Sequence, residues 1–234
     1  MKNKYFGDIN DYRKYGLIRA ILRSNNFNLL IAWMLTPDDS NNDGKRTYYL
    51  TEPKKWHKYD KELYKGLQHL MSNPGNRNVG LIEKTDLLSG AKFFSREVPD
   101  SSNDRKDWFQ DLLSHAKDSD LVFLDPDNGL EVKSKPCGWK NSSKYLYWHE
   151  VKALWQQGKS VLIYQHFCRE KRQSFIRRLR EGLQKNTKGS LIAAFKTPCV
   201  VFFLVLRPEC QKNYDSIVAD VENYWAKQIQ LITD

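Results

Sequence analysis

Two hydrophobic rhythms alternate along this chain. Short continuous apolar runs, FNLLIAWML from Phe27 to Leu35, LVFL ending at Leu124, VLIY ending at Tyr164 and VVFFLVL from Val200 to Leu206, have the length and composition of strands covered on both faces. Between them the apolar spacing turns helical. Ile9, Tyr12, Leu17, Ile21 and Leu22 fall roughly on one face of a helix that Asp8 or Asn10 can cap and that reaches about Arg23. Further helices are predicted over Lys61 to Met71, Arg105 to Ala116, Lys144 to Trp155, Arg169 to Gln184 and Gln211 to Gln228. Strands are predicted at Val79 to Glu83, Asp120 to Leu124, Ser160 to Tyr164 and Leu191 to Phe195, the last joined to Val200 to Leu206 by the short turn KTPC. Strands alternating with helices predict an α/β fold, a doubly wound, mostly parallel sheet flanked by helices and ending in a C-terminal antiparallel β-hairpin. With no repeat and no linker composition, residues 1–234 read as a single α/β domain with a loop excursion at 36–58.

Ligands of open parallel sheets bind beyond the carboxyl ends of the strands, so the residues after each apolar run carry the first functional signal. Thr36, Pro37, Asp38 and Asp39 follow the first run; Asp125, Pro126, Asp127, Asn128 and Gly129 follow LVFL; Gln165 and His166 follow VLIY. If these strands are neighbours, one rim holds carboxylates (Asp125, Asp127) for water activation or cation stabilisation and an imidazole (His166) for proton transfer. Carboxamides (Asn128, Gln165) are then placed to read a base edge. The competing explanation of DPDNG is a plain turn in which Asn-Gly supplies a positive φ. That of the polar cluster Asp8, Asn10, Asp11, Arg13 and Lys14 is a capped, solvated helix start.

Charge sharpens the choice of partner. Thirty-eight lysines and arginines face 28 acidic residues, a formal net charge of +10. An anionic partner is indicated, with nucleic acid ahead of membrane because no basic amphipathic anchor is present. In CREKRQSFIRRLREGLQK, Phe175, Ile176, Leu179 and Leu183 form an inward stripe, leaving Lys171, Arg177 and Arg178 for phosphates or simply for solvent. Arg13 and Lys14 are further backbone candidates, and Lys14 also has the chemistry of a Schiff-base nucleophile. Cys137, Cys168, Cys199 and Cys210 lack zinc or disulfide spacing, the histidines lack metal spacing, and no metal is expected. The charged opening MKNKYFGDINDYRK and the absence of a bilayer-length apolar run make cytoplasm the expected location.

FGDINDYRKYGL, LTPDD with NDG, LDPDNGLE and YQH together resemble, over most of the chain, a largely uncharacterised bacterial family associated with antiphage DNA glycosylases. The resemblance implies hydrolysis of an N-glycosidic bond, with Asp127 or Asp125 assisting, on DNA, double-stranded and carrying modified bases, without a cofactor. A flipped base needs walls and an edge reader. Asn10, Asn128 and Gln165 can read edges, Phe6, Tyr12, Tyr15, Trp33 and Phe167 can stack, and Asp8 completes the base-binding set.

A second resemblance competes. Asp-Pro-Asp-Asn after an apolar strand is similar to the [D/N]-P-P-[F/Y/W] loop of S-adenosylmethionine-dependent amino-methyltransferases, and YFGDINDYRKYGLIRAIL to the opening of one class of ribosomal-RNA adenine methyltransferases. That implies a methyltransferase-like Rossmann topology with S-adenosylmethionine as cofactor. Asp127 and Asn128 replace the second proline and the aromatic, and no glycine-rich turn follows the first long strand. A catalytically inert nucleic-acid-binding domain and a metal-dependent nuclease built on Asp38, Asp39 and Asp125 are the remaining alternatives.

Overall fold

The computed structural model describes residues 1–24, 27–40, 44–73, 75 and 77–232. Asn42 and Asp43 of the NDG motif, within the expected 36–58 excursion, lie outside the described residues. In chain order the strands are β1 (Leu29–Ala32), β2 (Ala91–Phe94), β3 (Leu121–Leu124), β4 (Gly129–Leu130), β5 (Tyr145–Leu146), β6 (Ser160–His166), β7 (Leu191–Lys196), β8 (Val200–Leu206) and β9 (Gln230–Ile232). The helices are α1 (Ile9–Arg23), α2 (Pro53–Trp56), α3 (Lys61–Leu70), α4 (Gly80–Glu83), α5 (Ser102–His115), α6 (Trp148–Gln156), α7 (Arg172–Asn186) and α8 (Gln211–Trp225).

Seven strands form one sheet in the order β2-β1-β3-β6-β8-β7-β9. β1 pairs in parallel with β2 and β3, and β3 with β6. β8 is antiparallel to both β6 and β7, and β9 is antiparallel to β7. The architecture is the expected α/β sheet, mostly parallel and flanked by helices, with the terminal hairpin inserted so that β8 separates β6 from β7.

Strand alternation divides the core. Leu29, Ile31 and Trp33 pack on one face with residues of α1, α3 and α8; Leu30, Ala32 and Met34 pack on the other with residues of α5, α6 and α7. Contact between α1 and α8 is close enough that a Cβ on Gly16 would fall 2.2 Å from the Trp225 ring. The helix start is not the solvated end that its polarity suggests. Asp11, Arg13 and Lys14 are all buried, because α1 is enclosed on nearly every side.

Two local expectations fail. Val79 to Glu83, predicted as a strand, contains the one-turn helix α4, whose Gly80 amide donates to Asn78 Oδ1 at 2.8 Å. The strand beside β1 is instead Ala91–Phe94. Lys144 to Trp155 is not one helix: β5 precedes α6, because Gly129 and Leu130 pair there with Tyr145 and Leu146. Among the described residues no helix is long and apolar enough to cross a membrane.

Candidate active-site cavity

The ends of β3 and β6, the loop after β1 and the start of α1 surround a cavity of ≈ 720 Å³, lined in part by Asp8, Asn10, Lys14, Asp125, Asp127 and His166. That volume suits a nucleoside-sized ligand. Asp8 caps α1, its Oδ1 accepting from the Asn10 amide at 2.9 Å, and its Oδ2 accepts from the Arg46 amide at 3.0 Å. One turn later, Asp11 and Lys14 share a helix side by their three-residue spacing.

Lys14 anchors the cavity floor. Its Nζ donates to Asp11 Oδ1 at 2.8 Å and to Asp125 Oδ2 at 2.7 Å. Burial alone would lower its pKa, but the two carboxylates outweigh burial and hold the ammonium above its ordinary value. Lys14 is therefore a fixed cation; it has neither the depressed pKa of a Schiff-base amine nor the exposure of a phosphate contact. Asp11 is pushed up to about 6 by burial, which Lys14 only partly offsets.

Asp127 is held differently. Thr36 Oγ1 donates to its Oδ2 at 2.7 Å, the Met1 amine stands 2.8 Å from its Oδ1, and Lys2 Nζ is 3.7 Å from Oδ2. Burial pushes its pKa up, but the Met1 amine, Thr36 and Lys2 outweigh that and keep it below the usual carboxylate value. Met1 itself bridges strand ends: its amine donates to Met34 O at 3.0 Å and Asp125 O at 2.9 Å, and its carbonyl accepts from the Thr36 amide at 2.9 Å. Met34 has φ 47°, a left-handed conformation that is costly for a side-chain-bearing residue.

The third strand end supplies Tyr164 and His166. Tyr164 Oη and His166 Nε2 are 3.0 Å apart, and Lys14 Nζ lies 5.3 Å from the Tyr164 ring centroid. Burial, then the Asp125 and Asp11 carboxylates, raise the Tyr164 pKa well above its ordinary value. Burial lowers that of His166, with Asp127 and Asp125 offsetting only part. At neutral pH the site presents an ionised Asp127, a neutral imidazole and a protonated phenol.

Gln165 does not face the cavity with His166. Its Oε1 accepts from the Leu130 amide at 2.7 Å, and its Nε2 donates to Asn128 O at 3.0 Å and His166 O at 2.8 Å. The predicted edge reader is a brace for the Asp-Pro-Asp-Asn loop. Gly129 completes the brace: it has φ +109°, and a Cβ there would fall 2.3 Å from the Gln165 carboxamide.

Tyr12 and Trp33 are also removed from the base-binding set. Tyr12 is fully enclosed and donates through its hydroxyl to Trp56 O at 2.9 Å, and Trp33 is enclosed with its indole donating to Glu83 Oε1 at 2.7 Å. Phe6 and Tyr15 are core residues as well. Arg13 is buried, with its guanidinium on Gln228 Oε1 at 2.8 Å, which rules out a phosphate role. Asp39 pairs with Lys2 and Lys4, and Asp125 with Lys14, so two of the three expected nuclease carboxylates face lysines, while Asp38 accepts from the Lys4 backbone amide at 3.3 Å. Among the described residues no group of three His, Cys, Asp or Glu is arranged for a metal ion.

Asn10 and Asn128 do line the cavity, as does Phe167. Lys171, just before α7, and Arg177 and Arg178 on it are exposed outside the cavity lining, and Arg178 pairs with Glu170 at 2.7 Å. Sequence reasoning missed Tyr164, Arg46 and Lys144, all lining residues. Tyr164 had a signal: two residues from His166 on a strand, it must share that residue's side.

Comparison with known proteins identifies no relative. No protein-family model matches the chain, and no curated protein or solved structure is significantly similar to it.

Proposed function

We propose that this protein is a DNA base-excision enzyme, a glycosylase that hydrolyses the N-glycosidic bond of a flipped, modified base. The observation that carries the reading is the pairing, around one nucleoside-sized cavity, of a buried carboxylate kept ionised, Asp127, with a buried imidazole kept neutral, His166. Cleavage breaks the bond between C1′ and the base nitrogen. Positive charge develops on the sugar, the bonding electron pair leaves with the base, and water adds at C1′. Asp127 stabilises the sugar cation and accepts the proton of the attacking water. Tyr164, retaining its proton, donates to His166 Nε2, which leaves the His166 Nδ1 proton to support the departing base. Asn10 and Asn128, whose side-chain amide nitrogens donate to no described residue, are the edge readers, and Phe167 is a wall.

Methyl transfer is the second reading, and the topology favours it, but the site does not. In a sheet of this order the cofactor crevice lies between the ends of β1 and β3, where the chain reverses direction across the sheet. Met1 is seated there, bonded to Met34, Thr36 and the Asp125 carbonyl. A role in antiphage defence is what the sequence resemblance adds. The test is incubation with unmodified and modified-base DNA, without added metal or cofactor, followed by assay for free base and alkali-labile sites. Release from modified DNA supports the proposal; no release from any DNA, with tight adenosylmethionine binding, replaces it with methyl transfer.

A further inference from the structure

The segment 131–144 leaves the cavity wall after β4 and returns to it at Lys144, whose backbone carbonyl accepts the Asn128 amide at 2.9 Å. Lys144 lines the cavity, and its ammonium makes no ion pair or hydrogen bond with a described residue. Across the segment Lys133, Lys135, Lys140 and Lys144 oppose a single acid, Glu131. Between them stands Trp139, 61% exposed, the most exposed large hydrophobic side chain among the described residues. Its indole makes no ring, cation or hydrogen-bond contact with any of them.

This exposure does not come from a slack loop. Asp100 accepts from the Asn141 and Ser143 amides, each at 2.8 Å, the Ser142 hydroxyl donates to Asp100 O at 3.0 Å, and the Tyr147 hydroxyl donates to Lys135 O at 3.1 Å. Turn bonds from Trp139 N to Pro136 O and from Ser142 N to Trp139 O close the tip. A solvated loop would need the lysines but not the indole, which is held out of the core by bonded backbone on both sides. An exposed aromatic set among cations is the pairing that single-stranded nucleic-acid sites use, the ring for a base face and the ammonium groups for phosphates.

We propose that residues 133–144 form a DNA-tracking element: Lys144 takes a phosphate at the cavity wall while Trp139 stacks on a base outside it. The inference rests on the base-excision reading for its substrate and makes that substrate a base within a strand, not a free nucleotide. The test is fluorescence anisotropy of a labelled single-stranded oligodeoxynucleotide with the full chain, wild type against Trp139→Ala, Trp139→Phe and Lys144→Gln, over a salt series. Thermal melts of each variant verify folding. Trp139→Ala is expected to weaken binding by about tenfold and Trp139→Phe to restore most of it. Lys144→Gln is expected to reduce the salt slope by about one. Wild-type affinity in Trp139→Ala, an unchanged salt slope in Lys144→Gln, or no binding by the wild type overturns the proposal. Base release by the wild type with unchanged Trp139→Ala affinity removes the tracking element and keeps base excision; Trp139-dependent binding without base release does the reverse.

Discussion

Lys14 and Asp125 form a buried ion pair, Nζ to Oδ2 at 2.7 Å, that ties the first helix to the end of β3. Both side chains are almost completely enclosed, so the pair persists because Asp11 adds a second acceptor, not because it is stronger than an apolar contact. Lys14→Met leaves Asp11 and Asp125 as buried carboxylates without their cation. The expected cost is about 3–5 kcal/mol of folding stability, read by urea denaturation, with part regained when Asp125→Asn is added. A loss below about 1 kcal/mol would show that water or another cation takes over. The same geometry predicts that borohydride reduction in the presence of an abasic site traps no adduct at Lys14.

Asp11 gives a pH dependence with a definite sign. Its folded pKa of about 6 lies above the ordinary 3.8, so the folded state holds the proton more tightly than the unfolded chain. Such a group contributes stability that is present below pH 3.8 and is lost as pH rises through about 6. The stability of the wild type relative to Asp11→Asn should therefore fall across that window and level off above it. A difference that grows with pH there would contradict the assignment of burial as the dominant influence.

Gly129→Ala tests the brace behind the Asp-Pro-Asp-Asn loop. The substitution places a methyl group on a backbone at φ +109° and 2.3 Å from Gln165, neither of which an alanine accommodates without movement. Expected effects are a stability loss of about 1–3 kcal/mol and a greater loss of base release, because Asn128 and His166 both hang from the displaced carboxamide. Denaturation and turnover together decide the point; wild-type values in both would mean that the loop does not depend on Gln165.

Much of this arrangement was legible in the chain. Continuous apolar runs marked β1, β3, β6 and β8, since strands covered on both faces need no polar alternation. β2 escaped because AKFF is a short edge strand with Lys92 exposed, and among the described strands it pairs only with β1. The strand-end rule located Asp125, Asp127, Asn128 and His166. It misassigned Gln165, although alternation already forbids neighbouring strand residues from facing the same way. Tyr12 and Trp33 were misread because aromatic content alone does not separate a stacking wall from a core ring. Lys144 could not be found from spacing, because two-residue strands bring it beside Asn128.

The most direct test of the central claim is the rate of base release, enzyme in excess, from DNA carrying modified bases, for the wild type and for Asp127→Asn at neutral pH. The isosteric change keeps a group of the same size at the Thr36 contact but removes the carboxylate charge. The account predicts release by the wild type, and a rate lower by about a hundredfold or more in the variant with DNA affinity little changed. Equal rates in the two proteins would contradict it.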